Sequence, residues 1–395
     1  MAAATLELAH IVRRYGDAFI EKHQPLQYHA RVLNAIASCR TAALGGHIDA
    51  CDSCGHLRIS YNSCRNRHCP KCQGIQRERW IEDRHQKLLP VKYFHVVFTL
   101  PQELNRYCLS YPASLYSLLF ASSKATIEAF AADSKHLGAL PGMISVLHTW
   151  GQNLMLHPHV HMIVPAGGFT ACNHWKHTKQ KGTYLFPVKA MSIVFKNKMM
   201  EGLQQLIARQ AIPLFSSADT KTLYNKSWVL FAKQPFGGPV QVIEYLGRYT
   251  HKIAISNHRI TAIENGNVSF RYKDYADGGK QKEMTISATE FLRRFCMHIL
   301  PKGFRKIRHY GFLSNRCSQV FKQQQLQMGI VIKPQSTEWK TIAKEKLHFN
   351  ADQCPCCKKD KMMEVLSFDN NGPPKWAINK IQSQLNTAEK FNVQH

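Results

Sequence analysis

Between His47 and Cys72 the chain loses helical and strand periodicity, yet this stretch carries Cys51, Cys54, Cys64, Cys69 and Cys72, five of the thirteen cysteines. A segment so poor in apolar side chains cannot hold itself by burial, and short modules of this kind use a metal ion as a staple. The pairs Cys51-x-x-Cys54 and Cys69-x-x-Cys72 have the spacing of two knuckles whose thiolates converge on one tetrahedral zinc. Four sulfur ligands leave no position for water, so the expected role is structural. Cys39, His47, Cys64 and His68 lie in the same span. They are candidates for a second zinc, or ordinary buried or hydrogen-bonded residues. Cys354-Pro-Cys356-Cys357 reads as half a site, to be completed by His348 or by residues that folding brings near.

Charge narrows the partner. Lys and Arg number 52 against 26 Asp and Glu, a formal net charge of +26. A folded surface with that surplus repels itself unless it meets a polyanion, with nucleic acid the first candidate and an anionic membrane the second. The sequence offers no run of about 18 to 20 apolar residues for a spanning helix. Its first twenty residues carry Glu7, Arg13, Arg14 and Asp17 and no apolar h-region, unlike a secretory signal. A cytoplasmic location follows as the expectation, and there metal ligation is a better default for clustered cysteines than disulfides. Arg65, Arg67, Lys71, Arg77 and Arg79 form a basic stripe around the knuckles, suited to phosphates. In Phe304-Arg305-Lys306-Ile307-Arg308 an aromatic among cations suits stacking on unpaired bases.

Periodicity near 3.6 predicts helix over 5–45, ended by Gly45-Gly46, and again over 73–89, 113–133, 190–211, 239–251, 287–298 and 314–328. Strands are predicted at 93–100, 143–150, 159–165, 186–188, 252–256, 260–264 and 268–273, the last two joined by an Asn265-Gly266 turn. After about 345 the chain is polar, with Gly372-Pro373-Pro374 marking a linker. Helices and strands without strict βαβ alternation give an α+β fold.

His157-Pro-His159-Val-His161-Met-Ile-Val is the most diagnostic stretch. Side chains two apart on a strand share a face, so His159 and His161 stand side by side as half of a divalent metal site. A third ligand should come from the neighbouring strand, with His148 and Gln152 the nearest candidates. An all-nitrogen or nitrogen–oxygen set of this kind suits an exchangeable catalytic ion, magnesium or manganese, rather than a structural one. Tyr245-Leu-Gly-Arg-Tyr249 places two phenols at i and i+4 on one helical face, with Arg248 and Lys252 on or beside it. Tyrosine is a poor nucleophile at its free pKa of about 10. It becomes useful opposite a phosphodiester polarised by a metal and by cations.

At these residues the sequence closely resembles the two-tyrosine HUH transposases of the insertion sequence 91 family, over roughly residues 25–330. The segment CDSCGH…SCRNRHCPKCQ looks like the family's zinc-binding domain, YFHVVFTLP like its first nuclease strand, HPHVHMIVPAGG like its HUH motif, and YLGRYTHKIAIS like its tyrosine helix. The resemblance implies an antiparallel sheet flanked by helices, with His159 and His161 as metal ligands and Tyr245 and Tyr249 as nucleophiles. It implies a helical and zinc-binding DNA-recognition domain at 1–90 and the two-tyrosine nuclease at 91–260. A basic hairpin and helical part at 261–345 and a polar tail at 346–395 would follow. The implied activity is nicking and joining of single-stranded DNA at element ends through 5′-phosphotyrosine, in rolling-circle-type transposition. A plasmid replication initiator or relaxase would use the same chemistry, separated by genetic context. A non-enzymatic zinc-dependent DNA-binding regulator would bind the same ends without becoming covalently attached.

Overall fold

The computed structural model describes residues 6–85, 89–233, 239–250, 253–330, 338–359 and 361–392. The fold is α+β, and its sheets are antiparallel. The chain divides into two compact units, each assembled from separated segments. One is Trp80–Ala254 with Met297–Gln335. The other joins Met1–Arg79, Ile255–Cys296 and Ser336–His395. This differs from the four consecutive segments read in the sequence, because strand pairing unites stretches hundreds of residues apart.

The first unit is built on seven strands: β1 (Tyr93–Thr99), β2 (Leu140–Trp150), β3 (Leu156–Pro165), β4 (Gly167–Phe169), β5 (Trp175–His177), β6 (Leu230–Lys233) and β7 (Ile307–Gly311). They run in the order β5-β4-β2-β3-β1-β6, with β7 paired to β2. Alternation along each strand separates two cores. Phe94, Val96, Phe98, Leu147, Val160, Met162 and Val164 point to one face. There they bury α1 (Pro112–Ala132) and α2 (Val188–Ala208) through Leu119, Phe120, Phe195 and Met199. Each such fully buried side chain contributes about 1.5–3 kcal/mol, so this face anchors the sheet. The opposite face carries Tyr93, Ile144, Val146 and Ile163, covered by Val242 and Ile243 of α3 (Pro239–Thr250). The predicted strand at 186–188 is instead the entry to α2: Pro187 occupies its N-cap position, and Phe186 is buried ahead of it. Residues 253–256 form no strand either. Ile253, Ala254 and Ile255 are buried outside any sheet, and β-branched composition reports burial as readily as pairing.

In the second unit the helix expected over 5–45 is two helices, Leu8–His23 and Gln27–Ala37. Pro25 disfavours helical backbone at Gln24, which takes φ 42° and ends the first helix. Two small sheets accompany them. The strands 260–264, 267–274 and 280–287 form a meander turning at Asn265-Gly266, as predicted for its first hairpin. Its third strand alternates charged and polar residues with half-buried ones and gave little sequence signal. The other sheet places Gly46–Cys51 between Leu57–Tyr61 and Met362–Phe368. The polar tail therefore supplies an edge strand, and Ala377 beyond the Gly-Pro-Pro segment is buried against Ile48 and Leu57. Among the described residues, no helix is long and apolar enough to cross a membrane.

Candidate active site

The register of the sheet assembles the histidines. His148 on β2 stands opposite His159 on β3, and Val146 opposite His161. All three imidazoles therefore project from one face, the one covered by α3. One ring nitrogen from each of His148, His159 and His161 lies within 4.8 Å of the others. Between the candidate ligands His148 and Gln152, the geometry brings His148 to the pair, whereas Gln152 sits in the turn joining β2 to β3.

The remaining nitrogens fix which lone pairs face inward. His159 Nδ1 lies 2.6 Å from the carbonyl of His157, to which it can only donate, leaving Nε2 as the free lone pair. His161 Nδ1 lies 2.8 Å from Nε2 of His95, and donating its proton there leaves the Nε2 lone pair of His161 to face its neighbour. The two Nε2 atoms are 3.0 Å apart. Adjacent ligands on an octahedral ion at about 2.1 Å would be separated by about 3.0 Å, so the donor set fits a small divalent cation. Burial pushes the His159 imidazole down to about 4, against the opposing pull of the His157 carbonyl to which it donates, so the ring is neutral as a ligand must be. Burial, followed by the Lys233 charge, also lowers His95 to about 4.

His95 was not singled out from the sequence. It lies on β1, two residues from Val97, which stands opposite His161, and so shares the face of the three histidines. A histidine alone among the apolar residues of YFHVVFTL was the available signal. Its ring also meets Tyr245 edge-on, the centroids 5.3 Å apart. The first of the two candidate nucleophiles is thus half-buried on α3 beside the imidazole that supports His161. Gly247, between the tyrosines, permits this seating: a Cβ there would stand 2.4 Å from Cδ1 of Ile81. Tyr249 and Arg248 follow on the same helix, with side chains outside the described residues; Lys252 lies outside them altogether.

The cysteines group differently from the sequence reading. Cys51 and Cys54 do not join Cys69 and Cys72. One set is Cys39, Cys64, Cys69 and Cys72; the other is Cys51, Cys54, Cys354 and Cys357. The cause is the hairpin that carries the first knuckle at its tip, so that its return strand Leu57–Tyr61 lies between the two knuckles. Its strand Gly46–Cys51 carries the first knuckle roughly 16 Å from the hairpin base, at about 3.3 Å per residue. At that base Arg40 N–H meets the Asn62 carbonyl, and Cys39 lies beside the loop bearing Cys64. In this set Cys39 and Cys64 Sγ lie 3.5 and 3.7 Å from Cys72 Sγ. The histidines proposed for a second zinc fall elsewhere. His47 Nε2 is 3.6 Å from Asp49, and His68 Nε2 accepts from Arg67 Nε. Cys356 is exposed and, like His348, outside both sets.

The basic candidates separate by environment. Arg65 and Arg305 are exposed. Lys71 is engaged by Glu7 at 2.9 Å and Arg77 by Glu78, while burial lowers the Arg67 guanidinium from its usual range. Lys306 Nζ sits 5.0 Å from the Trp150 ring. Phe304 is buried in the core rather than open to a base, and Arg308 stacks over Phe120 and Phe304 at 4.3 and 5.3 Å.

Comparison with known proteins places this arrangement in context. Residues 142–320 match a family model described as "Putative transposase", and residues 11–100 match one described as "Transposase zinc-binding domain". The chain is 44% identical over 400 residues to a Sinorhizobium fredii protein named "Putative transposase y4qJ", covering 95% of this chain and 99% of that one. It is 30% identical over 322 residues to the transposase for insertion sequence element IS801 from Pseudomonas savastanoi pv. phaseolicola, covering 79% and 75%. No solved structure matches. The zinc-binding match contains all four cysteines of the first set.

Proposed function

Because the chain belongs to the insertion sequence 91 family of transposases, we propose that it cuts and rejoins single-stranded DNA at element ends through tyrosyl–DNA esters. The observation that carries this reading is the seating of α3 on the histidine-bearing face, with Tyr245 against His95 and His95 against His161. A magnesium or manganese ion held by His148, His159 and His161 would polarise the scissile phosphate as a Lewis acid. Tyr245 or Tyr249 then forms a bond from its phenolic oxygen to phosphorus. The bond to the 3′ oxygen breaks, the phenolic proton leaves, and the 3′ oxygen is released as a hydroxyl. The ester energy stays in the adduct, so a later 3′ hydroxyl can reverse the step without ATP. Two tyrosines allow a second strand to be taken while the first is held. Zinc held by Cys39, Cys64, Cys69 and Cys72 would fix the loop 62–72, presenting Arg65 to a DNA backbone.

The test is a denaturant-resistant adduct. A labelled single-stranded end oligonucleotide incubated with protein and manganese should yield a covalent complex. That complex should be halved or lost in Tyr245→Phe or Tyr249→Phe, and absent in the double variant. Binding without any adduct would instead mark a DNA-binding regulator.

A further inference from the structure

The second cysteine set brings together residues three hundred positions apart, and half of it lies outside the matched zinc-binding domain. We propose that Cys51, Cys54, Cys354 and Cys357 form a second, independent tetrathiolate zinc site, which locks the strand Met362–Phe368 onto the N-terminal hairpin.

Three observations carry it. The first is spacing. Cys51 and Cys357 Sγ are 3.6 Å apart, and Cys54 and Cys354 Sγ are 3.7 Å apart, with all four within 4.8 Å. Four sulfurs at about 2.3 Å from a tetrahedral zinc are separated by about 3.8 Å, whereas a disulfide needs about 2.05 Å. The second is backbone form. Gly55, after the first knuckle, has φ 66° and donates its N–H to the Cys51 carbonyl at 2.9 Å. Lys358, after the second, has φ 57° and donates to the Cys354 carbonyl at 3.1 Å. Two segments of unrelated sequence adopt the same turn, and a non-glycine residue accepts left-handed backbone to do so. The third is support. Cys51 stands opposite Met362 in the sheet, Met362 N–H meets the Asp352 carbonyl at 2.7 Å, and Arg58 bridges Asp49 to the Ala351 carbonyl, each at 2.8 Å. Cys51, Cys354 and Met362 form a small buried cluster of their own.

Zinc per chain, measured by atomic emission on the purified protein, should be two. Cys354→Ser/Cys357→Ser should hold one, Cys64→Ser/Cys69→Ser should hold one, and the combined variant none. One zinc in the unaltered chain, or two retained by Cys354→Ser/Cys357→Ser, would overturn the proposal. Should a variant fail to fold, cobalt titration of the unaltered apoprotein decides: tetrahedral thiolate absorption should rise to two equivalents, and saturation at one overturns the site. For the locking role, hydrogen exchange of residues 362–368 should accelerate on chelation while that of β1–β3 does not. Protection unchanged after both zincs are gone would refute it.

Discussion

His95 holds His161 from behind: its Nε2 sits 2.8 Å from His161 Nδ1, in a stacked pair of rings 5.0 Å apart. Partners of this kind set the tautomer and orientation of a ligating histidine. His95→Phe keeps a planar ring and removes the hydrogen bond. Manganese affinity, read by titration calorimetry, should fall about 10- to 100-fold. Unchanged affinity would mean that other contacts orient His161.

The identity of the third ligand is separable by the same measurement. His148→Ala should abolish tight manganese binding and with it adduct formation, while Gln152→Ala should leave both within about twofold. The reverse pattern would move the ligand from β2 to the turn that follows it.

Acid should loosen the first unit. Burial lowers His95, His159 and His298 to about 4 each from an ordinary 6.5. Between those limits the unfolded chain takes up protons that the folded chain refuses. Stability is therefore complete above pH 6.5 and is lost as pH falls towards 4, by up to about 1.4 kcal/mol per pH unit for each group. His298, bonded to the Leu154 carbonyl and facing Thr149, lies outside the ligand set. In metal-free protein, His298→Gln should reduce the pH slope of the urea midpoint, by at most about one third because burial also lowers His29 and His157. An identical slope would assign the acid response to other groups.

Gly247→Ala opposes two effects of known size. Alanine favours a helix over glycine by about 1 kcal/mol, while forcing a methyl against Ile81 costs about 1–3 kcal/mol. A net loss of up to about 2 kcal/mol is expected in denaturant melts, with a larger proportional fall in adduct yield as α3 lifts. Adding Ile81→Val should restore part of both. Strict additivity of the two changes would remove the contact as the cause.

Phe304 and Arg305 are neighbours with opposite expected behaviour. Phe304→Ala should cost about 3–5 kcal/mol of stability, being a core truncation. Arg305→Ala should leave the melt within about 0.5 kcal/mol and reduce the salt dependence of DNA binding by about one phosphate contact. A stable Phe304→Ala that binds single strands weakly would restore the base-stacking role.

What could be read in the chain followed local rules. The i, i+2 spacing of His159 and His161 and the i, i+4 spacing of the tyrosines are set by strand and helix geometry alone, and the hairpin at Asn265-Gly266 by its turn residues. Whatever depended on partners distant in sequence was not legible. Choosing His148 over Gln152 required the register of β2 on β3, and finding His95 required that of β1. The cysteine spacing was valid for each knuckle and misleading for their pairing, because the five-residue strand Leu57–Tyr61 separates them by more than any metal can span. Phe304 read as an open aromatic because the basic residues around it mask a core position.

The placement of Gly46–Cys51 between Leu57–Tyr61 and Met362–Phe368 has a consequence for biosynthesis. Early in translation that strand has one flank paired and the other bare, and its second neighbour is encoded some three hundred codons downstream. A ribosome that stops short therefore releases a chain whose amino-terminal sheet is missing a strand. Assembly of this region is in effect a check that translation has run at least as far as residue 368.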